Sequence, residues 1–453
     1  MVRIRQLSNG IRVVLERMSY FKTAAFGVFV RVGSVNETRE NNGISHVIEH
    51  MLFQGTKKRT ARQLAADTAA IGDNVNAFTS KEYTAYYGVT LSEYLPRLIE
   101  LIWDMLNHSL MDEDALKKEK GVILEEIDMY DDSPEDLVHE LLQKQVWKDH
   151  PLGFLISGEK DVVRRISRDE ILDFMKKHYT ADHMVLSVAG HFDENEIYAL
   201  LEEAFGKVEQ SGEARLAAAR SALDGARPKD SPYHREYPKS KKADVSGPCY
   251  IPGFCTREKE IEQLHMNLAF PSISTEDPEK YTLAVMNSVL GGSNNSRLFQ
   301  VIREELGLAY SVYSYGSSYE TAGLFQIDVT LNPSQAEIAF DRIFAEIEKL
   351  KASRVQESEL GIHVSQVRTE LAMSQESPRS RMNANARAVL FRGKIESLKH
   401  ASDAVAAVGP DSIQKFASKY LDPSLASLCL VGPVGRRAKA RWEKKLNELR
   451  QNR

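Results

Sequence analysis

The chain has 453 residues, 42% hydrophobic and 27% charged, with a formal net charge of −5. That length suits two or more domains, and that composition belongs to a globular protein rather than a disordered or fibrous one. The slight acidity gives no nucleic-acid signal, and no apolar run approaches the length of a membrane span. Cys249, Cys255 and Cys429 are odd in number and lack metal-type spacing, which argues against a disulfide framework and a second metal site. The first fourteen residues read as two short strands around Ser8-Asn9-Gly10. They lack the apolar core of a signal peptide, so a cytoplasmic location is the default expectation.

Next comes His46-Val47-Ile48-Glu49-His50. If residues 44–54 are helical, positions three and four apart share one face, so His46 and His50 point together with Glu49 beside them. Two imidazoles on one face can hold zinc, and a neighbouring carboxylate can take a proton from water. The order H-x-x-E-H is a known zinc-hydrolase signature. Residues 76–87, rich in Thr and aromatics and alternating, read as a strand. A helical period then joins Leu116, Glu119, Ile123, Glu126, Ile127 and Tyr130. Glu119 and Glu126 are seven apart and share a face. One of them can be the third ligand that a catalytic zinc needs, while the other hydrogen-bonds a ligating His. Ser133-Pro134 reads as the capped start of another helix.

Two similar halves follow from a helix-then-strand unit. Residues 169–179 lead into the apolar run 184–188 and Gly190, and residues 411–420 lead into 425–431 and Gly432. Phe174 and Phe416 are 242 residues apart in this repeat. The predicted class is α+β: two homologous halves, each a mainly antiparallel sheet packed by helices. Residues 1–208 form the metal-binding half, 209–247 a linker with one short helix over 214–222, and 248–434 a half without H-x-x-E-H. Residues 435–453 form a basic tail with eight Lys or Arg against two Glu, read as a terminal surface helix. Gly291-Gly292 ends a helix over 281–290, and no Gly-Lys-Ser/Thr follows to make a phosphate loop.

Residues 43–56, from Gly43 through His46, Glu49 and His50 to Gly55-Thr56, resemble the active-site segment of the pitrilysin family of zinc peptidases. In that family the third ligand is a Glu roughly seventy-five residues beyond the second His, with another important Glu seven residues earlier. Here Glu126 lies seventy-six residues beyond His50, and Glu119 seven before it. The resemblance therefore implies His46, His50 and Glu126 as ligands of one zinc ion per chain, Glu49 as general base and Glu119 as a support for the ligands. It also implies that Asn76 and Ala77 belong to an edge strand that receives substrate as an added strand. Arg303 and Tyr310, seven apart after the Gly pair, resemble the Arg and Tyr that stabilise the tetrahedral oxyanion in the family. Four half-domains enclose a clamshell chamber in that family and this chain supplies two, so a homodimer acting on peptides or unfolded segments is expected. The alternative is a catalytically silent or partner-dependent subunit, against which the intact His46, Glu49, His50 and Glu126 argue.

Overall fold

The computed structural model describes residues 2–212 and 247–451. The first sheet contains β1 (Val2–Gln6), β2 (Arg12–Arg17), β3 (Thr23–Val30), β4 (Val75–Thr79), β5 (Thr84–Leu91) and β6 (Met184–Gly190), in the order β1-β2-β6-β3-β5-β4. The second contains β7 (Phe254–Glu258), β8 (Leu264–Ser272), β9 (Ala309–Ser318), β10 (Gly323–Leu331) and β11 (Ser427–Gly432), in the order β7-β11-β8-β10-β9. Without β1, the two orders are the same. Each sheet has one parallel pair, β2 with β6 and β7 with β11, and is otherwise antiparallel. The class is α+β and the repeat read from the helix-then-strand unit is visible in the strand order.

The repeat also places two glycines. Gly190 and Gly432 end β6 and β11 with φ of 126° and 142°, a region that side chains rarely enter. A Cβ on Gly190 would come within 2.4 Å of the Thr23 carbonyl oxygen, and one on Gly432 within 2.7 Å of the Gln263 carbonyl oxygen.

The described chain forms two compact units that do not follow its halves. One contains residues 2–127, 155–212 and 374–395, and the other 128–154, 247–373 and 396–451. In the first unit, helix Pro378–Arg392 covers one face of the sheet, burying Met382, Ala386, Val389 and Leu390 with Val14, Phe29, Tyr87 and Val185. Each large apolar side chain so buried contributes ~1.5–3 kcal/mol. Arg381 of that helix forms a two-pronged pair with Glu16, both contacts at 2.7 Å. In the second unit, helix Pro134–Val146 lies on β8 and β11. Each sheet is thus covered by a helix from the other half of the sequence.

Residues 76–87 form a hairpin, not one strand. Ser80 closes the turn, with its N–H and hydroxyl both donating to the Tyr83 carbonyl, at 2.9 and 2.7 Å. The tail forms helix Arg436–Gln451, which buries Trp442 and Leu446. The linker helix expected over 214–222 falls outside the described residues. No helix among the described residues is long and apolar enough to cross a membrane.

Candidate metal centre

Helix Ile44–Met51 is held by its apolar face, with Ile44, Val47, Ile48 and Met51 buried. The i, i+3, i+4 geometry then sends His46, Glu49 and His50 toward a second helix, Glu113–Asp132. Leu116, Ile123 and Ile127 bury one side of that helix, and the seven-residue spacing brings Glu119 and Glu126 to the His pair. All of these residues belong to the first unit.

The distances define a metal-sized gap. Nε2 of His50 is 3.4 Å from Oε2 of Glu126, and Nε2 of His46 is 3.7 Å from the same oxygen. The two imidazole rings are 4.7 Å apart at 73°. A tetrahedral ion with bonds of about 2.0–2.1 Å needs its ligand atoms about 3.3–3.4 Å apart. These residues therefore fit zinc. Nδ1 of His50 faces Oε2 of Glu119 at 3.2 Å. That contact places the proton on Nδ1 and leaves Nε2 free to ligate. The hydroxyl of Thr79, on β4, donates to Oε2 of Glu49 at 2.6 Å.

The electrostatics treat the two imidazoles differently. Burial, then the neighbouring His50, pushes the His46 pKa down to about 4, so its imidazole is neutral. Burial also pulls His50 down, but Glu126 and Glu119 outweigh it and leave its pKa raised. Burial raises the Glu49 carboxyl above its usual range, and the Thr79 hydrogen bond opposes that. A poised carboxyl beside a metal can take and return a proton.

Asn76 and Ala77 lie on β4, at the end of the sheet order with β5 as its one neighbour. Ala77 is buried and Asn76 exposed. Arg303 and Tyr310 lie together in the second unit. Arg303 is in a π-helical segment, Phe299–Glu305, and its guanidinium carbon is 5.8 Å from the Tyr310 ring centre. The β9–β10 register shifts beside Tyr310, and that residue is 75% exposed. A bulge of this kind re-aims a side chain. Thr79 and Glu37 had no role in the sequence reading. Thr79 could have been found, because it follows Ala77 on the same face of an alternating strand.

Comparison with known proteins adds a family. Residues 12–160 match the family model described as insulinase (peptidase family M16), and residues 165–367 match the model described as peptidase M16 inactive domain. An uncharacterised zinc protease of Bacillus subtilis is 37% identical over 96% of this chain and 99% of its own length. One of Streptomyces coelicolor is 34% identical over 96% of this chain and 90% of its own. Among solved structures, a protease from Helicobacter pylori aligns with a TM-score of 0.82 at 19% identity, covering 96% of this chain and 99% of that one. A chain of complex III2 from Candida albicans aligns with a TM-score of 0.80 at 17% identity, covering 99% and 100%.

Proposed function

The chain belongs to peptidase family M16, and from that premise we propose that it is a zinc-dependent endopeptidase cutting peptides or unfolded polypeptide segments. The observation that carries this reading is the set of three ligand atoms on His46, His50 and Glu126, all within 4.8 Å of one another. Zinc held there supplies Lewis acidity, polarising a peptide carbonyl and making water acidic near neutral pH. Glu49 takes the proton from the attacking water on Oε1, the oxygen that Thr79 does not occupy, and returns it to the departing amine. Thr79 fixes the rotamer of Glu49 while it does so. The open edge of β4 pairs with an extended peptide through main-chain bonds, with Asn76 and Ala77 at the contact. Arg303 and Tyr310 stabilise the oxyanion, a role that rests on their spacing and the family resemblance.

The reading includes a homodimer, supported by two halves of matching strand order in a family whose chambers use four. It also includes a reducing, cytoplasmic setting, supported by three free thiols. A structural subunit is the second reading, favoured by the match of residues 165–367 to a domain described as inactive.

The test is cleavage of a quenched fluorescent peptide library by the wild type and by Glu49→Gln, with zinc assayed in both. Cleavage by the wild type alone, with zinc in both, is expected. Wild-type protein that holds zinc and cuts nothing would favour the structural subunit.

A further inference from the structure

The helix that carries His46, Glu49 and His50 has only 8 residues. A helix that short is marginal in water and must be held by its surroundings. Its N-cap, Gly43, has φ of 98° and offers no side-chain cap. The first N–H groups of any helix lack partners within it. Here a carboxylate from the preceding loop supplies them. Glu37 is 4% exposed. Its Oε2 accepts from the Gly43 N–H at 2.7 Å and from Nδ2 of Asn42 at 2.8 Å, and its Oε1 accepts from the Ser45 N–H at 2.9 Å. Nδ2 of Asn42 also donates to the Leu155 carbonyl at 2.9 Å.

A buried carboxylate is costly unless it is paired or fully hydrogen-bonded. This one accepts from three donors at the positive end of a helix, where negative charge is favoured. Both of its oxygens are used, and they grip backbone positions 43 and 45 together. That fixes the start of the helix and its rotation about its own axis. Ser45 directly precedes His46. The loop of Gly158 also packs close against this start, because a Cβ on Gly43 would come within 2.8 Å of Cα of Gly158.

We propose that Glu37 is a positioning residue for the metal centre, its buried carboxylate setting the angle at which His46, Glu49 and His50 are presented. The inference rests on reading that helix as the zinc-binding element. A cap that merely stabilised the fold would change melting and leave zinc affinity alone. A positioning cap changes the affinity of protein that is still folded.

Two variants separate these. Glu37→Gln keeps the shape but turns one acceptor into a donor facing donors. Glu37→Asp keeps the charge and withdraws it by one methylene. Zinc affinity is measured by chelator competition, and ligand geometry by the visible spectrum of the Co2+-loaded protein, at a temperature where circular dichroism shows the native fold. We expect zinc to bind about 10- to 100-fold more weakly in Glu37→Gln, as for other groups that support metal ligands. The Co2+ bands should shift, and kcat should fall with KM held within about twofold. Folded Glu37→Gln with wild-type zinc affinity and an unchanged Co2+ spectrum would overturn the proposal. If Glu37→Gln does not fold, Glu37→Asp decides by the same two readouts. Wild-type protein that takes up no zinc would remove the peptidase reading and this inference together. Wild-type protein that binds zinc without cleaving leaves the affinity ratio to decide Glu37 alone.

Discussion

Glu119 supports His50 in a way that no described residue supports His46. Nδ1 of His50 faces Glu119 at 3.2 Å, whereas Nδ1 of His46 is buried without a hydrogen-bond partner among the described residues. His46 depends on packing and on its own helix for its orientation. His50 also has a charged acceptor that fixes its tautomer and makes Nε2 a better ligand. Removing that acceptor should be felt first in metal affinity. We expect Glu119→Ala to weaken zinc binding by about tenfold or more, as outer partners of metal ligands commonly do. Glu119→Gln, which can still accept from Nδ1, should fall between Ala and wild type. Chelator competition at constant pH checks the order. Equal affinities for all three proteins would mean that the Glu119 contact is incidental.

At the level of strands, the second sheet carries a polar pair with a pH consequence. Asp328 on β10 is directly opposite Asn267 on β8. Nδ2 of Asn267 donates to Oδ1 of Asp328 at 2.9 Å and faces Nδ1 of His139 at 2.8 Å. Because Nδ2 can only donate, Nδ1 of His139 is an acceptor, its single lone pair shared with the Tyr315 hydroxyl at 2.7 Å. His139 then carries its proton on Nε2, 3.4 Å from Oδ1 of Asp328. Two buried oxygens are left over, Oδ2 of Asp328 and Oδ1 of Asn267. A proton on Oδ2 would make that oxygen a donor instead of an unmet acceptor. Burial, together with the charge of Glu135, drives the Asp328 pKa the same way, from 3.8 up to about 7. Between those values the folded chain holds a proton that the unfolded chain has released. This contribution to stability is therefore full below about pH 4, falls as pH rises, and levels off above about pH 7. Asp328→Asn, whose amide can donate where the acid did, should flatten the dependence of Tm on pH between about 4 and 7. An unchanged slope in the variant would remove Asp328 as its source. This pair was not legible in the sequence, whereas the metal helices were. A helix fixes which residues share a face from spacing alone, so His46, Glu49 and His50, and Glu119 with Glu126, could be read locally. Asp328, Glu37 and Thr79 take their meaning from partners on other elements. The alternation over 76–87 continued through Ser80–Tyr83, where two bonds to one carbonyl make a turn, so the pattern hid the break.

The whole molecule is not two beads on a string. Following its compact units, the described chain passes from one to the other at residues 127–128, 154–155, 373–374 and 395–396, as well as through the middle segment. The two excursions so made, residues 128–154 and 374–395, each deliver a helix that covers a sheet. The sequence invites a cut between residues 208 and 248, because the repeat places one sheet on each side. That cut would strip helix Pro378–Arg392 from the first sheet and expose the face formed by Val14, Phe29, Tyr87 and Val185. A contiguous apolar face of that kind does not stay monomeric in water. It would also free Glu16 from Arg381 and Asn385, leaving a largely buried carboxylate without those donors. Residues 1–208 contain every candidate zinc ligand, so a bead model requires this fragment alone to fold and bind zinc. We expect instead that it aggregates or melts without cooperativity. Co-expression with residues 248–453 should restore both a cooperative transition and zinc binding, because the second fragment returns the missing helix. Calorimetry and zinc content of the two preparations decide the point. A lone 1–208 fragment that melts within about 5 °C of the intact chain, a shift worth about 2 kcal/mol at this size, would show that the exchanged helix is dispensable.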